Sequence, residues 1–514
     1  MATGRTRFPA TRAFPASRDY SDLVQIASCG LVVASLIAMV VLAFQRGPWL
    51  DEFWTVWMAE PSLSLSEAYA QRWSTDLHPP LYYASVWLFR QGLGDEIAWL
   101  RFVNVLPLLP LVPSVYLWLR NTRRDTWLAI FAVLVASCPY TIANFAELRS
   151  YFAIIALTAA LVILLKLFDR EHELAPRERG WLRAQIAVTI LIALNVHFLS
   201  SAIIAARIGL EMLRALLRRN WSGLAVLAIP SAIGALVLTI TFALQMGRTE
   251  FYTFYPATFL DCVVIVGAGV ALGLVLNPGV DLAIARTLLR HRVGALRDAG
   301  WSFAALAIGA LGILVYSTLS GSLTLRYTFV LIPLAADLAA DLAKQGLAQS
   351  RLQVLLFVLG AIALQLFTVV HESANKRWLL LADQIAAITR DCPGTQVIGI
   401  DQHALHPDDE QRPVSGWIGV FDSGYRWVAS RHGFTVETTG RDADTIARAS
   451  SCPTLVWAEH DFNDIPDPFE LVRRARIRFE GGTPQLIEQR RLPHQQLLVF
   501  RNPGSGVADP TTAR

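Results

Sequence analysis

Charge is what this chain has least of. Only 17% of its 514 residues are Asp, Glu, Lys or Arg, while 54% are hydrophobic and the mean hydropathy is +0.42. So little charge excludes an ordinary soluble protein. The net charge of +4 is too small to point to nucleic acid, and the cations sit in short clusters between apolar runs. Cysteine is also scarce. Cys29, Cys138 and Cys262 lie in or beside apolar spans and read as small core residues; Cys392 and Cys452 lie in a polar region, each followed by proline. A cleavable signal layout is missing: the apolar run at 22–44 is too long for a signal core, and no small-residue cleavage site follows it. No internal repeat appears in the apolar part.

What the chain does have is a series of long apolar runs. Crossings are expected near 22–44, 99–119, 126–143, 148–167, 182–197, 199–217, 222–244, 257–276, 300–319, 325–342 and 352–371. The connections alternate in charge. Arg120, Arg123 and Arg124 share a side with Lys166 to Arg183, Arg214 to Arg219, Arg286 to Arg297, Lys344 and Arg351, together with the Arg-rich N-terminus. The positive-inside rule puts that side in the cytoplasm. The outer side then carries Asp51, the loop at 144–151, the bend near His197, the aromatic loop at 249–256, the loop at 320–325 and everything after 371. Residues 78–94 break the alternation. They are apolar but short and contain Arg90, so a short outer helix that does not cleanly cross is expected. The stretch 45–77 reads as amphipathic helices on the membrane surface, with Trp54, Trp57, Tyr69 and Trp73 in the interfacial belt.

The chain therefore divides into a cytoplasmic tail (1–21), a transmembrane domain (22–371) with external loop 45–77, an extracytoplasmic α/β domain (372–503) and a disordered tail (504–514). In the α/β domain, strands at Gln396–Ile400 and Thr454–Ala458 alternate with helices at 376–390 and 443–450. Two units look alike, ITRDCPGTQVIGID and IARASSCPTLVWAEHD. If their strands are parallel neighbours, Cys392 and Cys452 start them side by side. An external location permits a disulfide between them, with two free thiols as the alternative.

Five distant segments place polar residues at the outer face. Asp51 and Glu52 follow the first span in Trp49-Leu50-Asp51-Glu52-Phe53-Trp54. Carboxylates at a membrane boundary are costly and call for a cavity, partner or substrate. They can serve as a general base or bind a divalent cation through oxygen; an acid pair at a helix N-terminus is the plainer alternative. His78-Pro79-Pro80-Leu81-Tyr82-Tyr83 sets His78 just before a helix start, suited to a phosphate or sugar hydroxyl. In Glu147-Leu148-Arg149-Ser150-Tyr151, Glu147 and Tyr151 are expected to share a helix face. His197 in Asn195-Val196-His197-Phe198 either joins the site or caps a turn. Arg326, beside Tyr327, either joins the site or snorkels to lipid headgroups.

These motifs resemble those of the integral-membrane glycosyltransferases of the GT-C class, near the protein O-mannosyltransferase and aminoarabinose-transferase branch. The resemblance covers roughly 22–342. It rests on Asp51-Glu52, His78-Pro79-Pro80-Leu81-Tyr82-Tyr83, Arg101-Phe102, the Glu147-Leu148-Arg149-Ser150-Tyr151 run, Asn-Val-His-Phe, and an Arg-Tyr pair followed at Pro333 by proline. It implies a GT-C-like polytopic α-helical fold of about 11 to 13 transmembrane helices with a C-terminal soluble α/β domain. It further implies an enzyme of the plasma or inner membrane in cell-envelope glycan biosynthesis. Such an enzyme moves a hexosyl or pentosyl group from a polyprenyl-phosphate donor to a hydroxyl of a glycan, glycolipid or protein, on the periplasmic face and with inversion. By the same resemblance Asp51 is the catalytic base and Glu52 supports it. His78, Arg149, Tyr151, His197, Arg326 and Tyr327 bind the donor phosphate or sugar, and Asp51 with Glu147 holds a divalent metal, Mg or Mn. The chain has Glu147 where some relatives have Asp. A polyprenyl-sugar transporter or flippase and a non-catalytic glycan-assembly partner are the alternatives.

Overall fold

The computed structural model describes residues 20–76, 78–122, 125–246, 256–274, 277–291, 299–400, 415–439, 444–459, 467–492 and 495–502. The expected tails, Arg123, Arg124 and most of the aromatic loop at 249–256 lie outside these residues. Each expected crossing lies mostly on helix in its described part. Among the described residues six helices are long and apolar enough to cross a membrane, or eight when each of two bent helix pairs counts as one span. The protein is thus an α-helical polytopic membrane protein with a C-terminal α/β domain. Helices Pro176–Ala193, Phe198–Leu217 and Leu331–Gln349 are long enough as well but carry more charge.

Two helices form the centre. Nearly every side chain of Tyr151–Phe168 is buried, and so are most of those of Leu331–Gln349. Around them, helices such as Ser21–Gln45 bury one stripe (Val24, Ser28, Leu31, Ser35, Ala38, Leu42) and leave apolar residues such as Ile26, Val33 and Ile37 exposed. Exposed apolar faces are the ordinary surface of a helix solvated by lipid. In lipid, helix association depends on close packing more than on hydrophobic drive. Small residues supply it: a Cβ on Gly346 would meet Ala283 Cβ at 2.9 Å.

The ends of the bundle are sorted as the charge alternation predicts. At one end Arg120 pairs with Glu178 (2.7 Å), Arg183 with Glu171 (2.9 Å), Arg214 with Asp169, and Lys166 with Asp337 and Asp341 (2.9 and 2.6 Å). At the other end lie residues 46–52, 76, 78, 147–151, 197, 326 and 372–377, joined by the contacts given below.

Several local expectations need correction. The span near 126–143 is two helices, Trp127–Ala136 and Pro139–Phe145, bent by 61° where Pro139 removes a backbone donor. The span expected from 148 begins at Tyr151, so Glu147 and Tyr151 share no helix; Glu147 sits in the preceding turn. Residues 78–94 contain the short helix Leu81–Leu93, and Arg90 is buried in the protein. Helices do occur in 45–77, at Leu50–Met58 and Leu65–Gln71. Trp73, however, is buried and donates Nε1–H to the Met58 carbonyl at 2.8 Å, so it is no lipid-facing belt residue.

The C-terminal domain holds a five-stranded sheet in the order β2 (Glu437–Thr438), β1 (Gln396–Ile400), β4 (Thr454–Glu459), β7 (Gln495–Arg501), β6 (Gln485–Leu492). β1 and β4 are parallel neighbours, Gln396 opposite Thr454. That register brings Cys392 and Cys452 together, and they form a disulfide with Cα atoms 5.7 Å apart. The helix expected at 443–450 is instead, in its described part, the strand β3 (Thr445–Ala447), paired with β5 (Ile477–Phe479). Strand alternation sends Val397, Leu455, Trp457 and Leu497 to one face and Ile398, Val456 and Leu498 to the other. The first face is covered by helix Ser415–His432, which packs in turn on helix Leu50–Met58.

Candidate active site

The acidic helix Leu50–Met58 starts where the chain leaves the first span, with Trp49 extended before it. Neighbouring residues on a helix point about 100° apart, and here that angle separates two environments. Glu52 turns inward and has no exposed surface. Its two oxygens accept from Arg101 Nε and Nη2, both at 2.8 Å, and Oε1 also accepts from the Leu148 backbone at 2.9 Å. Arg101 donates further to the carbonyls of Ala43 and Arg46. Glu52, expected to support catalysis, is by this geometry a positioning residue that ties three chain segments together.

Asp51 turns the other way and keeps 24% of its side chain exposed. Its Oδ2 accepts from Arg326 Nη1 at 2.6 Å and faces Arg149 Nη2 at 3.4 Å. Both arginines stand just before the two central helices, so the most buried elements of the bundle present their N-terminal ends to Asp51. Arg326 does not snorkel: it also lies 3.9 Å over the Trp49 ring and 5.9 Å from Tyr151. Burial pushes the Asp51 carboxyl up, but Arg149 and Arg326 outweigh it and hold it below its ordinary value. Asp51, then Glu147 and Tyr151, push Arg326 up against burial and the charge of Arg149.

Glu147 is buried under cations. Its Oε1 accepts from Arg46 at 2.7 Å and Arg377 at 3.2 Å. Burial raises its carboxyl; Arg46 and Arg377 outweigh that and lower it to about 2. Arg46 also pairs with Glu372 at 2.9 Å, and Arg377 lies 4.7 Å over the opposite neighbour Trp49. The turn carrying Glu147 is held by Asn104, whose amide donates to the Phe145 and Glu147 carbonyls and accepts from the Tyr82 hydroxyl.

His78, His197, Tyr151 and Tyr327 form an aromatic wall. The ring of His197 lies 5.2 Å from His78, 5.9 Å from Tyr151 and 5.8 Å from Tyr327. His197 also caps helix Phe198–Leu217 by accepting from the Ser200 backbone, as one of its two readings expects. Burial, then the charges of His78 and Arg149, keep His197 far below its ordinary value and hence neutral.

Asp51, His78, Arg149, Tyr151, His197, Arg326 and Tyr327 are therefore joined by contacts, Glu147 lies beside them through Arg377 and Trp49, and Glu52 turns away into the protein. The sequence pattern missed Asp76, Arg46, Arg377, Asn104 and Trp49. Arg46 and Trp49 flank the acidic motif and were within reach of it; Asp76 sits in an aperiodic loop, and Arg377 lies beyond the last span, where nothing flags it.

Asp51 and Glu147 do not fit a divalent cation as placed. Each carboxylate is shared by two guanidinium groups, and no cluster of three or more His, Cys, Asp or Glu forms among the described residues. What the arrangement can do is hold an anion against Arg149 and Arg326 while an ionised carboxylate stands beside it.

The sequence matches no protein-family model and no curated protein. Crystal structures of ArnT from Cupriavidus metallidurans, one in the apo state and one bound to undecaprenyl phosphate, align with 92% of this chain and 97% of theirs, at 12% identity and a TM-score of 0.49.

Proposed function

We propose that this chain is a membrane glycosyltransferase of the GT-C class, moving a sugar from a polyprenyl-phosphate donor to an acceptor hydroxyl on the outer face of a cell membrane, with inversion. One observation carries the reading: Asp51, part-exposed and ionised, is bracketed by Arg149 and Arg326 at the end of the bundle. The leaving group is a phosphate, already stable as an anion. Catalysis needs cations to receive it and a carboxylate to take the acceptor proton. Arginine supplies the positive charge that Mg or Mn was expected to supply.

The pairing also couples binding to reactivity. A donor phosphate that draws Arg149 or Arg326 toward itself relieves Asp51 of its partners and raises its affinity for a proton. The base is then strongest when the donor is in place. The lipid tail stays in the bilayer while the sugar reaches Asp51. The gathering of polar groups at one end favours an enzyme over a transporter, which needs them near the bilayer midplane.

The test is Asp51→Asn in purified full-length protein, given polyprenyl-phosphate sugars and candidate acceptors. Transfer is expected to fall by roughly 10²–10⁴-fold with donor binding retained. Transfer by the variant at the wild-type rate removes Asp51 as the base.

A further inference from the structure

Asp76 belongs to none of the motifs that mark this site, yet it is 9% exposed and fully engaged. Its Oδ2 accepts from the Tyr83 hydroxyl and pairs with His78 Nδ1 at 3.0 Å. A carboxylate on Nδ1 fixes the ring so that Nε2 points away, the arrangement of an oriented acid–base imidazole. Nε2 makes no hydrogen bond among the described residues. The backbone on either side is held too: Gln245 Nε2 donates to the Trp73 carbonyl at 2.9 Å and the His78 carbonyl at 3.1 Å.

The groups that face His78 come from four elements. They are Asp76 in its own loop, Tyr83 on helix Leu81–Leu93, His197 at the start of helix Phe198–Leu217, and Arg149, whose charge acts on both Asp76 and His197. Burial raises the Asp76 carboxyl, but His78 and Tyr83 outweigh it and lower it to about 2, so it is ionised at any working pH. Burial and then Asp76 push Tyr83 well up, so it remains a hydrogen-bond donor. Asp76 is the one anion among them, and His197 is neutral.

We infer that Asp76 is a positioning residue that fixes the His78 ring through Nδ1, with Nε2–H offered to the phosphate as it leaves the sugar. This rests on the transfer reading above. In the step, the bond between the anomeric carbon and the phosphate oxygen breaks, and its electron pair goes to the phosphate. The acceptor oxygen bonds to the anomeric carbon and its proton goes to Asp51. The Nε2 proton of His78 goes to the departing phosphate, which leaves as a monoanion. Asp51 loses its proton to water and His78 regains one from water.

The experiment compares wild type, Asp76→Asn, His78→Gln, His78→Lys and Asp51→Asn, all full-length in detergent. It measures undecaprenyl-phosphate binding and the pH dependence of kcat. Asp76→Asn is expected to lower kcat by roughly 10–10³-fold, to retain binding, and to move the alkaline limb to lower pH. His78→Lys, with a fixed cation, is expected to move that limb to higher pH, and His78→Gln to abolish it. If Asp76→Asn does not fold, the two His78 variants decide: His78→Gln with the wild-type rate and profile overturns the inference. So does a folded Asp76→Asn whose profile coincides with wild type. When Asp51→Asn is inactive in the same series, only the Asp76–His78 role has failed. A wild type that neither binds undecaprenyl phosphate nor transfers sugar overturns the function itself, and the inference with it.

Discussion

Both carboxylate oxygens of Glu52 are spent on Arg101, and neither residue keeps more than 2% of its side chain exposed. Taking one partner from a buried pair leaves an uncompensated charge and costs roughly 3–5 kcal/mol. Glu52→Gln is therefore expected to lower the unfolding temperature in detergent sharply, and Glu52→Leu with Arg101→Leu to recover much of the loss. Asp51→Asn is expected to lower that temperature less, because Asp51 is part-exposed. The two adjacent acids are thus separable by experiment: one carries stability, the other rate. Glu147 adds a pH dependence. Its carboxyl lies at about 2 in the folded protein, below its ordinary value of 4.5. A lowered value stabilises above the unfolded one and is lost as pH falls through the folded one. The stability difference between wild type and Glu147→Gln is therefore expected to be full above pH 4.5 and to shrink steadily toward pH 2, followed by acid titration of unfolding.

The acidic helix is too short, from Leu50 to Met58, to hold itself in place. Its carbonyl end is capped by side chains: Arg90 donates to the Val56 and Ala59 carbonyls, Arg72 to Trp57, and Trp73 to Met58. Its apolar side, Leu50 and Phe53, enters the core of the C-terminal domain beside Trp378 and Phe421. Gly424 on helix Ser415–His432 is required there, since a Cβ would meet Trp378 at 2.5 Å and Phe53 at 2.9 Å. Gly424→Val is expected to displace the acidic helix and lower kcat by about tenfold or more, in line with the cost of misplacing a reacting group, while leaving undecaprenyl-phosphate binding less affected. Much of this element was legible in the sequence. Long apolar runs reveal helices, and short polar motifs at their ends reveal what gathers there. Arg90 was visible as an anomaly, a charge in an apolar run, but its target was not, because backbone carbonyls leave no mark in a sequence. The role of the C-terminal domain was equally hidden. Phe53 and Gly424 are far apart in the chain, and neither residue type singles out the other. The strand at Thr445–Ala447 was mistaken for helix because three residues carry too little periodicity to be told apart.

Across the whole molecule, the placement of ends ties chemistry to compartment. The segments that share the site also share the side of the Cys392–Cys452 disulfide, since Arg377 joins Glu147 through its side chain and accepts a hydrogen bond from Gln495 of β7 through its carbonyl. A disulfide persists in an oxidising compartment, and the positive-inside rule assigns arginine-rich connections such as those at the far end to the cytoplasm, which is the orientation proposed here. The two arguments are independent and agree. They predict the outcome of labelling with a membrane-impermeant thiol reagent, in a background where Cys29, Cys138 and Cys262 are replaced. Ser373→Cys, beside the site, is expected to react in intact cells. Asn121→Cys, beside the Arg120 connection, is expected to react only after the membrane is opened. The reverse pattern places Asp51 in the cytoplasm. A polyprenyl donor presented on the outer face then never meets its base, and the proposed reaction fails on topology alone, whatever the geometry of its residues. Equal labelling of both sites in intact cells removes the crossing count between them and with it the alternation that brought the site residues to one face.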